Sequence, residues 1–173
     1  MAIVQLLQQS PGFLIVASAV LGLLVGSFSN VVVYRFPIML QRDWKQQCCE
    51  YLEIEDPKPA EGSDPLSWKV FTLAKPDSHC PNCGHKIKPW ENIPVISYLA
   101  LNGKCSGCKT KISIRYPSVE FTNGVLSGLV AATFGPTWLT LALLLFTWGL
   151  VVLTLIDFDH QLLPDDVTYP MLW

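Results

Sequence analysis

The sequence has little charge, and the charge that it has is confined to the middle of the chain. Only 15% of the 173 residues are charged, whereas half are hydrophobic. No Lys or Arg precedes Arg35 or follows Arg115, and the twelve basic residues share that stretch with nine of the fourteen acids. Because no stripe of excess positive charge is present, binding to nucleic acid is not expected. So apolar a composition indicates membrane segments joined by one soluble, mixed-charge loop.

The first apolar run, residues 11–34, contains no charged residue and is long enough to cross a bilayer. A cleaved signal peptide is the alternative, but the first ten residues carry no Lys or Arg and the run exceeds a usual signal core. We expect Arg35 and Pro37 to close this helix. The positive-inside rule then places the N-terminus outside and residues 35–116 in the cytoplasm.

Two further apolar segments predict a helical pair. Residues 119–134 and 138–156 are separated by a Gly-Pro-Thr turn, so they read as antiparallel second and third spans. Pro164 and the acids Asp165 and Asp166 then indicate the start of a fourth helix, with one of the acids as its cap. The seven residues that follow cannot cross a bilayer, so we expect the chain to be a fragment.

Small and polar residues mark one face of the first span. Gly22 and Gly26 form a small-xxx-small pattern suited to close packing against another helix. Ser27 and Asn30 lie near Gly26, and a buried Asn in hydrocarbon needs a partner. We therefore expect this face to point inward.

Four cysteines in the loop form two CxxC pairs, with 21 residues between Cys83 and Cys105. Two thiolates three positions apart can share one face of a tetrahedral Zn²⁺, and a second pair completes the ligand set. The predicted ligands of this structural zinc are Cys80, Cys83, Cys105 and Cys108.

Alternatives to this zinc site are disulfides, a thioredoxin-like redox pair and an iron–sulfur site. His79 and His85 flank the first pair and could substitute as ligands, although four cysteines already suffice. Cys48 and Cys49 are read as ordinary thiols, because adjacent cysteines rarely bridge and a cytoplasmic loop is reducing.

The predicted fold is an all-α polytopic membrane protein with a small cytoplasmic zinc-ribbon-like loop domain. Its parts are a first span within residues 1–34, a cytoplasmic domain at 35–116 with the zinc module at 80–108, the second and third spans at 117–156, and an aspartate-bearing loop with the truncated fourth helix at 157–173.

Asp157 directly follows the third apolar run. A carboxylate at a bilayer boundary is costly, so the first interpretation of Asp157 is a functional one. It could instead be an interfacial acid solvated by water and headgroups. As a catalytic group it would need a second acid facing it, because one carboxylate takes a proton from water while its protonated partner polarises the scissile carbonyl. Asp159 is about 200° further round a helix and is a poor partner.

Glu120 lies in the first turn of the second span, where the helix dipole favours a negative charge. Pro117 can occupy an early helical position there. Glu120 could also pair with Arg115 or line a polar cavity.

These motifs together resemble those of the type IV prepilin leader peptidases, bifunctional membrane enzymes with N-methyltransferase activity. The resemblance covers nearly the whole chain, and the ordered set is far more specific than any one motif. The matching segments are Gly26–Pro37, the two CxxC pairs, Pro89–Pro94, Arg115–Glu120 and Asp157–Asp165.

The resemblance implies an aspartic endopeptidase of the bacterial inner membrane. Such an enzyme cleaves the leader of type IV prepilins or pseudopilins on the cytoplasmic side and then methylates the new N-terminus with S-adenosylmethionine. Asp157 matches the family's first catalytic aspartate. The second belongs to a Gly-x-Gly-Asp motif that this chain lacks, and no Rossmann-type glycine fingerprint marks a methyl-donor site.

Two other functions remain open from the sequence. A non-catalytic membrane adaptor could use the zinc-stabilised domain to dock a cytoplasmic partner. A transporter fragment could use Asp157 in an ion path, but the third apolar run offers only three threonines as polar residues.

Overall fold

A computed structural model describes residues 10–54 and 71–172 of the protein. Helices dominate these residues, which confirms the predicted helical character. The elements are α1 (Pro11–Tyr51), a 3-10 helix (Pro89–Asn92), α2 (Ile96–Ala100), α3 (Arg115–Phe134), α4 (Trp138–His160) and α5 (Asp165–Leu172).

Helices α1 and α3 pack antiparallel along a seam of small residues. A Cβ added at Gly26 would lie 2.7 Å from the Glu120 Cα, and one added at Gly22 would lie 2.5 Å from the Asn123 carbonyl oxygen. From the opposite helix, Gly124 faces Leu23 and the Ala19 carbonyl. The expectation that the Gly22–Gly26 face points inward is confirmed, because both glycines are buried against α3.

Helix α4 returns beside α1 after the tight turn at Gly135–Thr137. Thr137 caps its first turn by accepting a hydrogen bond from the Thr140 amide at 3.2 Å. Near the other end of α4, Val152 and Ile156 pack against Val33 of α1 in a small buried cluster. The last turns of α4 therefore lie level with residues 32–36 of α1.

The prediction that Arg35 and Pro37 close the first helix is wrong. Helix α1 contains both residues and continues to Tyr51. Residues 38–51 include no Gly or further Pro, so the helix resumes after the single backbone hydrogen bond that Pro37 cannot donate. A hydrogen bond from the Gln46 side chain to Glu50, one turn later, supports this extension.

Helix α4 is also longer than its apolar run, because it ends at His160. Asp157 and Asp159 therefore belong to its last turn rather than to a loop, and the chain turns only at Gln161, which adopts a left-handed conformation with φ 51°. The start of a helix at Asp165 is confirmed, with Asp165 and Asp166 both in its first turn.

Within the described residues, two helices are long and apolar enough to cross a membrane. These are α1 and α4. The middle helix α3, expected as a further span, does not reach the same apolar content, since it includes Arg115, Glu120 and Asn123. Its place in a membrane stays a prediction.

Replacing Gly26 by Ala tests the α1–α3 seam. The added methyl group would meet backbone atoms of α3 that cannot move aside, so we expect a loss of about 1–3 kcal/mol in stability. Gly12→Ala is the matched control, because a Cβ there meets nothing within 4 Å. Thermal unfolding of the purified protein, followed by Trp fluorescence, should give a lower midpoint for Gly26→Ala alone. Equal midpoints for the two variants would contradict the seam.

Candidate metal centre and the Asp157 end of the helices

Each CxxC pair sits in a knuckle closed by backbone hydrogen bonds. In the first, the Cys80 amide donates to the His85 carbonyl at 2.8 Å and the Gly84 amide donates to the Cys80 carbonyl at 2.9 Å. The second knuckle repeats both bonds at positions 25 residues later, from Cys105 to Thr110 at 2.9 Å and from Lys109 to Cys105 at 3.1 Å. The module thus has an approximate internal repeat.

The repeat extends to the backbone conformation after each pair. Gly84 has φ 69° and Lys109 has φ 59°, so both adopt the left-handed conformation that turns the chain back. This conformation costs a glycine nothing but is unfavourable for a lysine. The surrounding contacts of the second knuckle must therefore stabilise Lys109 in it.

The four sulfur atoms converge on one point. The Sγ atoms of Cys80 and Cys108 are 3.8 Å apart, those of Cys83 and Cys105 are 3.9 Å apart, and all four lie within 4.8 Å of one another. A tetrahedral zinc with Zn–S bonds of about 2.3 Å requires sulfur–sulfur edges of ~3.8 Å. The distances also exclude disulfides among these cysteines, since an S–S bond is about 2.05 Å long. The cluster fits a four-thiolate metal ion.

Backbone amides and polar side chains favour the thiolate form of Cys80 and Cys108. Hydrogen bonds with the Thr110 side chain, the Thr110 amide and the Asn82 side chain lower the pKa of the Cys108 thiol to about 5. Amides of Asn82 and Cys83 lower the pKa of Cys80 in the same way. The His85 amide acts in the same direction on Cys83, but contacts with the Cys108 thiol and burial outweigh it and raise the pKa of Cys83 to about 11. Because metal ligation requires deprotonated sulfur, the donors at Cys80 and Cys108 prepare these two ligands for a cation.

His85 links the two knuckles instead of supplying a ligand. Its Nε2 lies 2.9 Å from the Ser106 hydroxyl of the second knuckle and 3.2 Å from the Glu91 carboxylate. Glu91 also accepts the Lys88 amide at 2.9 Å, and this bond, followed by contacts with Ser106 and His85, lowers the pKa of Glu91 to about 2. His79 Nδ1 lies 3.1 Å from the Asp77 carbonyl. Neither histidine belongs to the sulfur cluster.

Arg35 attaches the segment that leads into the cysteine module to α1. The side chain is buried, and its guanidinium donates to the carbonyls of Thr72 at 2.9 Å and Pro76 at 2.7 Å. The Phe71 ring centroid lies 5.7 Å from the guanidinium carbon. The segment just before the first knuckle is therefore held by a buried cation from the helix that was expected to end there.

Glu120 fastens the other side of the module onto α3. Its buried carboxylate accepts the Val95 amide at 2.8 Å, immediately before α2. Val95 has φ 59°, a strained conformation for a β-branched residue, and the hydrogen bond holds it there. The suggested pairing of Glu120 with Arg115 is not what the structure shows.

Arg115 pairs with Asp159 instead. Its guanidinium donates to both carboxylate oxygens, from Nη1 to Oδ1 at 2.9 Å and from Nη2 to Oδ2. This bidentate contact joins the start of α3 to the last turn of α4. Asp159 thus has a structural partner in Arg115.

Asp157 is exposed in the same turn, and its carboxylate has no hydrogen bond or ion pair with any residue that the structure describes. It emerges at the end of the helices to which the cysteine module is attached, because Arg115–Asp159 and Val33–Ile156 contacts bring these ends together. Asp157 therefore presents an exposed carboxylate at the end of the helices to which the module is attached.

Sequence reasoning missed a polar chain between α3 and α4. The Trp148 indole donates to the Ser127 hydroxyl at 2.9 Å, and that hydroxyl donates to the Asn123 carbonyl at 2.7 Å. The Asn123 side-chain oxygen, among the described residues, is buried without a partner. The three-residue and four-residue spacing of polar positions 120, 123 and 127 was the available signal.

The fold and site define a mostly helical protein with two helices of membrane-spanning length and a four-cysteine metal module. Residues 20–134 match the family described as the bacterial peptidase A24 N-terminal domain. The chain belongs to this family of prepilin leader peptidase/N-methyltransferases. No solved structure matches the chain significantly.

Relatives named prepilin leader peptidase/N-methyltransferase align over nearly the full chain. The protein of Stutzerimonas stutzeri is 53% identical over 98% of this chain, and that of Pseudomonas aeruginosa is 50% identical over all of it. A Neisseria gonorrhoeae protein is 50% identical over 93% of the chain. The chain spans about half the length of these relatives, 56%, 57% and 54% respectively.

Zinc content tests the four-cysteine site. We expect the purified chain to carry one zinc ion and Cys80→Ser to lose most of it, because three thiolates leave the tetrahedral set incomplete. Cys48→Ser is the matched control, since Cys48 is an exposed thiol on α1 outside the cluster. Atomic absorption on both variants gives the answer, and equal zinc in the two would refute the ligand assignment.

Proposed function

We propose that this chain acts within a membrane aspartic endopeptidase that removes the leader peptide of type IV prepilins or pseudopilins. The names and high identity of the relatives support the substrate class. The observation that carries the role of Asp157 is its exposed, unengaged carboxylate in a helix turn whose other acid, Asp159, is already paired.

In this mechanism Asp157 is one of two carboxylates that share a proton across the scissile bond. The ionised carboxylate takes a proton from the attacking water, and the protonated carboxylic acid donates a hydrogen bond to the carbonyl oxygen. No Gly-x-Gly-Asp motif occurs in these 173 residues, so the second aspartate is assigned to sequence outside them. An exposed position at a helix end leaves Asp157 free to face such a partner.

The same protein is proposed to methylate the new N-terminus with S-adenosylmethionine, as the relatives' names suggest. It lies in the bacterial inner membrane as a multi-pass protein, with α1, α3 and α4 as spans and the N-terminus outside. The cysteine module and Asp157 then face the cytoplasm, which agrees with their position at one end of the helices. The metal stabilises the module and takes no part in either reaction.

Asp157→Asn, made in the complete gene product in membranes, tests the catalytic assignment. Amide nitrogen cannot take a proton from water, so leader cleavage of a prepilin should fall by roughly 10²-fold or more. Asp43→Asn, which changes another exposed acid far along α1, is the control and should cleave normally.

Two further readouts make the result specific. Zinc content should be unchanged in Asp157→Asn, and methyl transfer to a pilin that has already been cleaved should persist. Normal cleavage by Asp157→Asn would refute the catalytic role. Absence of any second late-span acid from the complete gene would favour the adaptor function instead.

A further inference from the structure

The module exposes a group of large apolar side chains that its own core does not use. Trp90 and Ile93, at the 3-10 helix, are 64% and 43% exposed, and Ile96 and Leu99 on α2 are 65% and 67% exposed. Ile96 and Leu99 lie three positions apart and so share one face of α2. We call Trp90, Ile93, Ile96 and Leu99 the α2 patch. Four large apolar side chains exposed within ten residues of a small module favour a binding surface here.

The structure fixes the α2 patch beside the beginning of α3. The hydrogen bond from Val95 to Glu120 attaches the start of α2 five residues into α3, about 8 Å along its axis at ~1.5 Å per residue. The α2 patch is therefore held close to the N-terminal end of α3. It lies at the depth where an interfacial helix rests against headgroups if α3 spans a bilayer.

Exposed apolar residues continue from this point along α3. Ile114 is 72% exposed, and Phe121 and Val125, which follow it at seven and eleven positions, are 61% and 44% exposed. This spacing keeps them on one helical face. Along the axis of α3, this stripe therefore begins near the level at which α2 is attached. Its apolar side chains are suited to contact with lipid tails.

The module that carries the patch has a modest excess of positive charge. Residues 77–114 contain five lysines and two acids, of which Asp77 pairs with Lys86 and Glu91 is engaged by the Lys88 amide and His85. The lysines are all exposed, at positions 86, 88, 104, 109 and 111. An excess of exposed lysine beside apolar side chains matches an anionic lipid surface.

From these observations we propose that the α2 patch docks on the anionic surface of the bilayer and holds the cysteine module against the membrane. The inference rests on the proposed membrane placement of the helices. It adds a second, interfacial anchor to the module beyond the spans themselves. The module would then stay close to the Asp157 end of α4.

Depth-dependent quenching of Trp90 tests this proposal. The whole chain is placed in vesicles of phosphatidylglycerol and phosphatidylcholine brominated near the headgroup, and the Trp90 signal is taken as the difference from Trp90→Phe. We expect roughly half of this signal or more to be quenched, as for a ring at the headgroup boundary. Quenching should weaken when phosphatidylglycerol is omitted.

Matched variants connect the quenching to the patch. Ile96→Ser/Leu99→Ser should abolish most Trp90 quenching while zinc content is unchanged. Leu52→Ser/Ile54→Ser, which changes two exposed apolar residues beyond the far end of α1, should leave it intact. Trp90 that stays unquenched, or equal quenching in both double variants, would overturn the proposal. Protection of Trp90 only at high protein-to-lipid ratio would identify a second copy as the occupant and would overturn it too.

Trp148 separates this proposal from the one on which it rests. The ring lies in the middle of α4 and should be quenched by lipids brominated deep in the tails, as read from the Trp148→Phe difference. Quenching of Trp148 without quenching of Trp90 refutes the α2 anchor alone. If neither ring is quenched, the membrane placement of the helices fails as well.

Discussion

The close approach of α1 and α3 is the constraint on which the rest of the structure depends. Because Gly22 and Gly26 have no side chains, the α1 backbone comes within contact of Glu120 and Asn123. That approach sets the position of Glu120, whose carboxylate then reaches Val95 and fixes the start of α2. It also sets the level at which α3 begins, and so where Arg115 meets Asp159. The module and the Asp157 turn are therefore positioned through one glycine seam.

Two buried ionisable side chains attach the module, and each is balanced by backbone groups. Arg35 donates to carbonyls before the first knuckle, and Glu120 accepts an amide after the 3-10 helix. Burying a charge is costly unless hydrogen bonds replace its water, and backbone dipoles supply those bonds here. The type of backbone group decides which side chain can bind it. Carbonyl oxygens accept from a cationic side chain, and an amide donates to an anionic one. The two helices thus hold two different segments, one before the first knuckle and one before α2, through side chains of opposite type.

Local patterns in the sequence were sufficient to predict the clustering of the four cysteines, the turn between helices at Gly135 and the inward-facing glycines. Each depends on residues a few positions apart. The prediction that α1 ends at Pro37 was wrong because it treated one proline as a helix end. A single proline removes only one backbone hydrogen bond, and the residues after Pro37 favour helix strongly enough for α1 to continue. The Arg115–Asp159 pair could not be predicted, because its members are 44 positions apart and several acids were equally available. Only the packing of α3 against α4 selects Asp159.

That selection separates the two acids of the last α4 turn. The carbonyl end of a helix carries partial negative charge, so both Asp157 and Asp159 are placed where the dipole opposes them. For Asp159 the bidentate contact with Arg115 offsets this cost and joins two helices. Among the described residues nothing offsets it for Asp157, which gains no structural role from its position. The catalytic role proposed for Asp157 would account for an outward-facing acid at this unfavourable helix end. Its neighbour shows what a structural acid at the same place looks like.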